Sequence, residues 1–256
     1  MKSLLFGSIG SLVECSEIQR KAFNEAFKEF GVNWYWNVAN YIKMLQKPGG
    51  LNRLIEYSKN ELNSDDAKQI YLLKIKHFKL LSENNLMPRS GVLEVIQYAL
   101  KHNIKIGFIT TTTKDTVDLV INNLSKYIDF SKFDLITHDQ FVTNRKPDPE
   151  IYKLALKKLG AIHSSSIAIE NTLESCNSSI NAKIQTLCYP GEYTIYGENS
   201  LISRDIVKSV KSFFEEDFSV LIFFISRFFF GSKFGKKLCN LIFFFLLKKI
   251  GRLIYF

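Results

Sequence analysis

The sequence predicts an α/β fold: a Rossmann-like parallel sheet core, a helical cap inserted after the first strand, and an apolar, basic C-terminal extension. Three observations carry this. Between Pro88 and Tyr189, short apolar runs alternate with helical segments of about 10–12 residues, the pattern of βαβ units. A further apolar run of the same character stands alone at the N-terminus. Between the two, residues 16–85 read as helices without a strand. The predicted core is therefore 1–15 with 86–215, the cap 16–85 and the extension 216–256.

Ser3–Ile9 reads as a buried strand that empties into a Gly/Ser turn. Ser16–Phe30 follows as a helix, with Ile18, Ala22, Phe23, Ala26, Phe27 and Phe30 at helical spacing and Gly31 just past its end. Trp34–Leu45, Leu51–Lys59 and Ala67–Ser82 are three more helices, the first closed by Lys47-Pro48-Gly49-Gly50. The α/β part then reads Val92–His102 helix, Ile104–Thr110 strand, Lys114–Leu124 helix and Asp134–Thr137 strand. Asp148–Leu159 is a helix entered through Pro147 and Pro149, residues suited to a helix start. Ser165–Ile169, Leu173–Ala182 and Ile184–Tyr189 complete the pattern as strand, helix and strand.

At 256 residues, with 46% apolar and 23% charged residues, the chain has the composition of a soluble globular protein with an ample core. Cys15, Cys176, Cys188 and Cys239 form no CxxC pair, and the four histidines are scattered, so reduced thiols and no zinc centre are expected. No long apolar run follows a basic start at the N-terminus, so a cytoplasmic location is expected. Of the net charge of +9, residues 218–256 carry +7 and no acid, leaving a nearly neutral body. That distribution argues against a nucleic-acid partner. The extension also holds eleven of the 22 phenylalanines. Its apolar runs are too short to span a bilayer, but basic residues interleaved with Phe, Leu and Ile suit peripheral contact with an anionic membrane surface. Packing on the core or on another chain, and a low-complexity extension of little function, are the competing readings.

Three sites follow strands, where chemistry is expected in such folds. Thr110–Thr113 offers hydroxyls and amides at a helix start, fit for a phosphate, though threonine is also a common helix cap. Lys146 sits in the proline-stiffened loop Asn144–Pro149. Glu170-Asn171 ends an apolar strand, a place where an acid can hold Mg²⁺ or cap a helix.

In this order and spacing the three sites resemble those of the haloacid dehalogenase-like hydrolase superfamily, among its capped sugar-phosphate phosphatases and mutases the CbbY-like phosphatases. Ala22–Phe27 resembles the first cap helix, Trp34 to Arg53 the substrate-specificity loop, Lys146-Pro147-Asp148-Pro149 the KPxP element, and Ile167–Asn171 the strand ending in two acids. The resemblance runs from Lys2 to Tyr189. It implies Mg²⁺-dependent hydrolysis of a small phosphorylated metabolite such as a sugar phosphate, through an aspartyl-phosphate. The first loop would read DxDGT. Here Gly7 stands at the nucleophile position and Ile9 at the acid/base position, while Gly10 matches and Ser11 replaces Thr. The resemblance assigns phosphate binding to Ser11, Thr110, Thr111 and Lys146, and metal binding to Glu170 with Asn171 in place of the second acid. From the cap it assigns ligand contacts to Glu17, Gly49, Gly50 and Arg53.

Glycine has nothing to attack with and isoleucine cannot move a proton. Losing a central nucleophile costs about 10⁴–10⁶ in turnover. Strand alternation points Ser8 away from the Gly7/Ile9 face, which speaks against a substitute. The expected function is a phospho-ligand-binding pseudoenzyme. Two alternatives stand beside it: a hydrolase with residual activity, using a water in the space left by Gly7, and a membrane-associated interaction protein with a vestigial site.

Overall fold

The computed structural model describes residues 1–45, 49–59, 61–83, 85–194 and 205–215. The extension over 218–256, including Cys239, and the Lys47-Pro48 turn lie outside the described residues. Five parallel strands form one sheet: β1 (Ser3–Phe6), β2 (Lys105–Phe108), β3 (Leu135–Ile136), β4 (Ser166–Glu170) and β5 (Gln185–Cys188), in the order β3-β2-β1-β4-β5. β1 lies in the middle and every residue of it is buried, as expected for a strand covered on both faces. Its partners in register are Phe108 and Ile169 opposite Phe6, so the residues that follow the three strands emerge side by side. Strand order reverses beside β1, which opens a crevice at these carboxyl ends.

The helices are α1 (Ile9–Leu12), α2 (Ser16–Phe30), α3 (Val38–Met44), α4 (Gly50–Ser58), α5 (Ser64–Ser82), α6 (Val92–Lys101), α7 (Lys114–Leu124), α8 (Glu150–Leu159) and α9 (Leu173–Asn181). Residues 206–215 form a further helix that the sequence reading lacks. β1 is shorter than predicted. The chain leaves the sheet after Phe6, and Ser8 and Ser11 close a capping box around α1, which alternation alone does not foresee.

Helices α2 to α5 build their own core. Phe23 and Phe27 of α2 meet Trp36, with ring centroids 4.5 and 4.9 Å apart, and Trp36 stacks on Tyr41 at 5.9 Å. Gly31, at φ 91°, ends α2 in the left-handed conformation that glycine adopts without cost. The predicted Trp34 start of α3 moves to Val38. Asn24 holds the Trp36 backbone extended through its amide, donating to the Trp36 carbonyl and accepting from its N–H, and Asn37 caps the helix by accepting from Asn40 N–H. α5 begins three residues before the expected Ala67, because Asn63 accepts from the N–H groups of Asp65 and Asp66.

Candidate functional site

The register of β1 against β2 and β4 brings Gly7, Ile109–Thr110 and Glu170–Asn171 together at the carboxyl ends of the central strands. Gly7 N–H donates to the Ile169 carbonyl at 2.9 Å, and Ile109 N–H donates to the Phe6 carbonyl at 2.7 Å. The side of Gly7 is not open. A Cβ built there would lie far inside van der Waals contact with the Tyr152 hydroxyl and the Glu170 carboxylate. The expectation of a water-sized space beside Gly7 is therefore corrected: the β4 carboxylate and the α8 phenol fill it.

Those two groups belong to a buried cluster. The Lys146 ammonium donates to the carbonyls of Gly7 and of Ile109 (2.9 Å) and to Glu170 Oε1 (2.6 Å). Tyr152 donates its hydroxyl to the same Glu170 oxygen. The Lys146 and Glu170 side chains are 6% and 0% exposed, and Glu170 Oε2 has no hydrogen-bond partner among the described residues. Burial pulls the Lys146 ammonium below its ordinary range, opposed by the Glu170 charge. Burial also pushes the Tyr152 phenol well up, so it remains a donor. An ammonium has three protons to donate, and all three are committed here. Lys146 is thus an internal counter-charge, where the sequence reading expects a free anion ligand.

The first loop is locked from the other side by Asn171. A Cβ at Gly10 would overlap the Asn171 amide, so glycine is needed for close approach. Asn171 Oδ1 accepts from the Ser8 hydroxyl at 2.5 Å. Ser8 is therefore turned into the cleft, because the strand has ended before it, and the alternation argument does not apply. Ser11 is fully buried, and its hydroxyl donates to the Ser8 carbonyl at 2.6 Å.

After β2, Thr110 N–H donates to Thr137 Oγ1 at 3.0 Å and Thr110 Oγ1 accepts from Thr112 N–H at 3.2 Å. The Thr110 amide is consequently not available to a ligand. Thr111 has no hydrogen bond among the described residues, and Thr113, the N-cap of α7, makes no side-chain cap. The N-terminus of α7, left without a side-chain cap, keeps the partial positive charge of a helix start.

These residues line a cleft of about 460 Å³, with walls that include Gly7, Ile9, Thr110, Thr111, Lys146 and Asn171. Gly49, Gly50 and Arg53 close it from α4. A Cβ on Gly50 would stand 2.8 Å from the Tyr71 ring. Arg53 donates from Nε to the Met44 carbonyl at 3.0 Å and lies over the Tyr41 ring. Ser11, Glu17 and Glu170 are not among the lining residues. Arg20 clasps Glu17 through Nε and Nη2 at 2.8 and 2.7 Å, and Tyr193 donates to it at 2.5 Å. The Arg20 hydrogen bonds hold its carboxyl down to about 2.

Three residues of the site have no place in the sequence reading. Tyr152 lies on the buried stripe of α8, where a tyrosine reads as core. Glu174 lines the cleft in the first turn of α9, and burial raises its carboxyl to about 7. Lys74 lines the cleft from α5, on the apolar stripe Ala67, Ile70, Phe78. A lysine at the centre of such a stripe is the signal that was available.

The groups present do not fit Mg²⁺. Gly7 and Ile9 bring no oxygen from their side chains, Glu170 Oε1 is taken by an ammonium and a phenol, and Asn171 Oδ1 is taken by Ser8, so of these groups Glu170 Oε2 alone stays open, too few for an octahedral oxygen site. Among the described residues no three His, Cys, Asp or Glu converge on one point. A divalent cation would also meet the Lys146 charge 2.6 Å from the carboxylate it needs.

Comparison with known proteins agrees with this architecture. The family model of the haloacid dehalogenase-like hydrolases matches residues 10–189, opening just beyond Ile9. The chain is 31% identical to Protein CbbY of Rhodobacter capsulatus over 199 residues, covering 76% of this chain and 87% of that one. It is 29% identical to Protein CbbY of Cereibacter sphaeroides over 203 residues, covering 77% and 88%. The structure of a CbbY mutant from Rhodobacter sphaeroides in complex with xylulose-(1,5)bisphosphate superposes with a TM-score of 0.70 at 27% identity, covering 80% of this chain and 93% of that one. A parallel sheet in this order, an aromatic-cored helical block between β1 and β2, and a cleft at the strand ends thus coincide with a family match over most of the sequence: the chain belongs to the haloacid dehalogenase-like hydrolases.

Proposed function

We propose that this chain binds a small phosphorylated metabolite, a sugar phosphate by analogy with the xylulose bisphosphate complex of its relative, and does not hydrolyse it. Residues 16–85 act in this reading as the cap over the cleft. The observation that carries the proposal is the Lys146–Glu170–Tyr152 cluster. It occupies the place from which a nucleophile on the first loop would act, and it puts an ammonium beside the family's metal-binding carboxylate. Anion binding rests on other groups: Lys74, Arg53 and Arg145 line the cleft, and the α7 N-terminus faces it.

The test is a panel of sugar phosphates assayed for phosphate release with and without Mg²⁺, alongside calorimetry of the same compounds. Saturable binding, unchanged by a chelator and without turnover, is the expected result. Mg²⁺-dependent phosphate release would overturn the reading, and so would the absence of binding across the panel.

A further inference from the structure

We infer that Lys74 is a carbonyl-capturing amine: its Nζ forms an imine with the aldehyde or ketone carbon of a phosphorylated compound held in the cleft. This rests on the phospho-ligand reading above and adds a covalent step to it. Lys74 stands near the middle of α5 and lines the cleft, yet it is only 7% exposed. Among the described residues no carboxylate pairs with it and no hydrogen bond holds it. Its neighbours are rings instead. Nζ lies 5.3 Å from the Phe23 centroid, 5.6 Å from Tyr71 and 5.0 Å from Phe78. Tyr71 and Phe23 are also the rings against which Gly50 closes, so the amine and the cap loop share one apolar floor.

Such an environment favours the neutral amine. Removing an ammonium from water raises the energy of the charged form, and the rings return only part of it. Burial brings Lys74 down to about 8. The charged or titratable neighbours that act on it are Cys15 and Arg53, and burial pushes the Cys15 thiol up to about 12, so it supplies no counter-anion. At pH 7.5 roughly a quarter of Lys74 is then neutral, against about one part in 10³ for an ordinary lysine. This is the state in which lysines act as nucleophiles toward carbonyls. The step balances without a co-reactant. The amine nitrogen bonds to the carbonyl carbon, the carbon–oxygen bonds break, and the oxygen leaves as water with the two amine protons.

The probe is pyridoxal 5′-phosphate, a phosphate-bearing aldehyde, with cyanoborohydride to fix the imine and peptide mass spectrometry to find it. The intact chain is labelled at Lys74 at least about tenfold faster than at exposed lysines such as Lys21, given the difference in neutral fraction. Inorganic sulfate slows that labelling, and Lys74→Arg abolishes it with the melting temperature retained. Acetaldehyde, which lacks the phosphate, separates the two readings. If acetaldehyde labels Lys74 but sulfate gives no protection and pyridoxal phosphate no advantage, the imine stands and the phosphate site falls. If sugar phosphates bind by calorimetry while neither aldehyde prefers Lys74 over surface lysines, the binding reading stands and the imine is overturned.

Discussion

The carboxylate of Glu170 lies in the space that any side chain on Gly7 would need. The two residues are thereby fixed together: glycine at 7 admits the carboxylate, and the carboxylate excludes anything larger at 7. Restoring the aspartates is accordingly expected to fail. Gly7→Asp with Ile9→Asp overpacks a buried ion cluster, and overpacking costs about 1–3 kcal/mol. The double variant should melt below the parent and release no phosphate from sugar phosphates with Mg²⁺. Turnover at undiminished stability would show that the cluster yields.

Lys146→Met removes the counter-charge that pairs with the fully buried Glu170 carboxylate. Breaking a buried pair from one side costs about 3–5 kcal/mol. Urea unfolding should show a loss of that size, and Lys146→Met with Glu170→Gln should recover a large part of it, because the uncompensated charge is then gone. Equal losses in the single and double variants would assign the effect to packing.

Glu174 gives stability a pH dependence of defined sign. Its carboxyl is raised to about 7 by burial, from about 4.5 in the free chain. The folded state therefore binds more protons than the unfolded state between those values, and stability falls as pH rises through that window. Glu174→Gln should flatten this segment of the stability–pH curve and leave the region above pH 8 parallel to the parent. Unfolding midpoints measured from pH 4 to pH 9 provide the check.

Anion affinity should follow pH in the same direction. Below about 8 Lys74 gains a proton, and below about 7 Glu174 loses its negative charge. Both changes make the cleft more positive. Sulfate stays a dianion throughout, so its calorimetric affinity should rise as pH falls from 9 to 6. Lys74→Met should remove the upper part of that rise and Glu174→Gln the lower part.

Glu17 should prove to be part of the frame. Its carboxylate is clasped by Arg20 and Tyr193, and Arg20 in turn donates to the Trp36 carbonyl at 2.7 Å. Glu17→Gln is expected to lower the melting temperature at neutral pH and leave sugar-phosphate affinity within about twofold. A large loss of affinity at unchanged stability would return Glu17 to the ligand.

Local pattern determined much of this protein. The apolar runs at 104–110, 165–169 and 184–189 and the helical stripe of 16–30 lie where strands β2, β4 and β5 and helix α2 form, because burial periodicity is a local property of the chain. Boundaries moved where side chains capped the backbone, at Ser8, Asn37 and Asn63. The positions of Gly7, Ile9, Thr110, Lys146 and Glu170 around one loop were legible as well, since each follows a strand or opens a helix. What each does there was not. A lysine after a strand reads as an anion ligand until the fold brings Glu170 and the Gly7 and Ile109 carbonyls, from other strands, onto its three protons. A lysine on a helical stripe reads as an exception until Phe23, Tyr71 and Phe78 surround it. Tyr71 and Phe78 are helix neighbours of Lys74, but the Phe23 ring comes from α2, and the partners of Lys146 come from residues 24 to 139 positions away, so the chemical state of these lysines was decided by the tertiary structure.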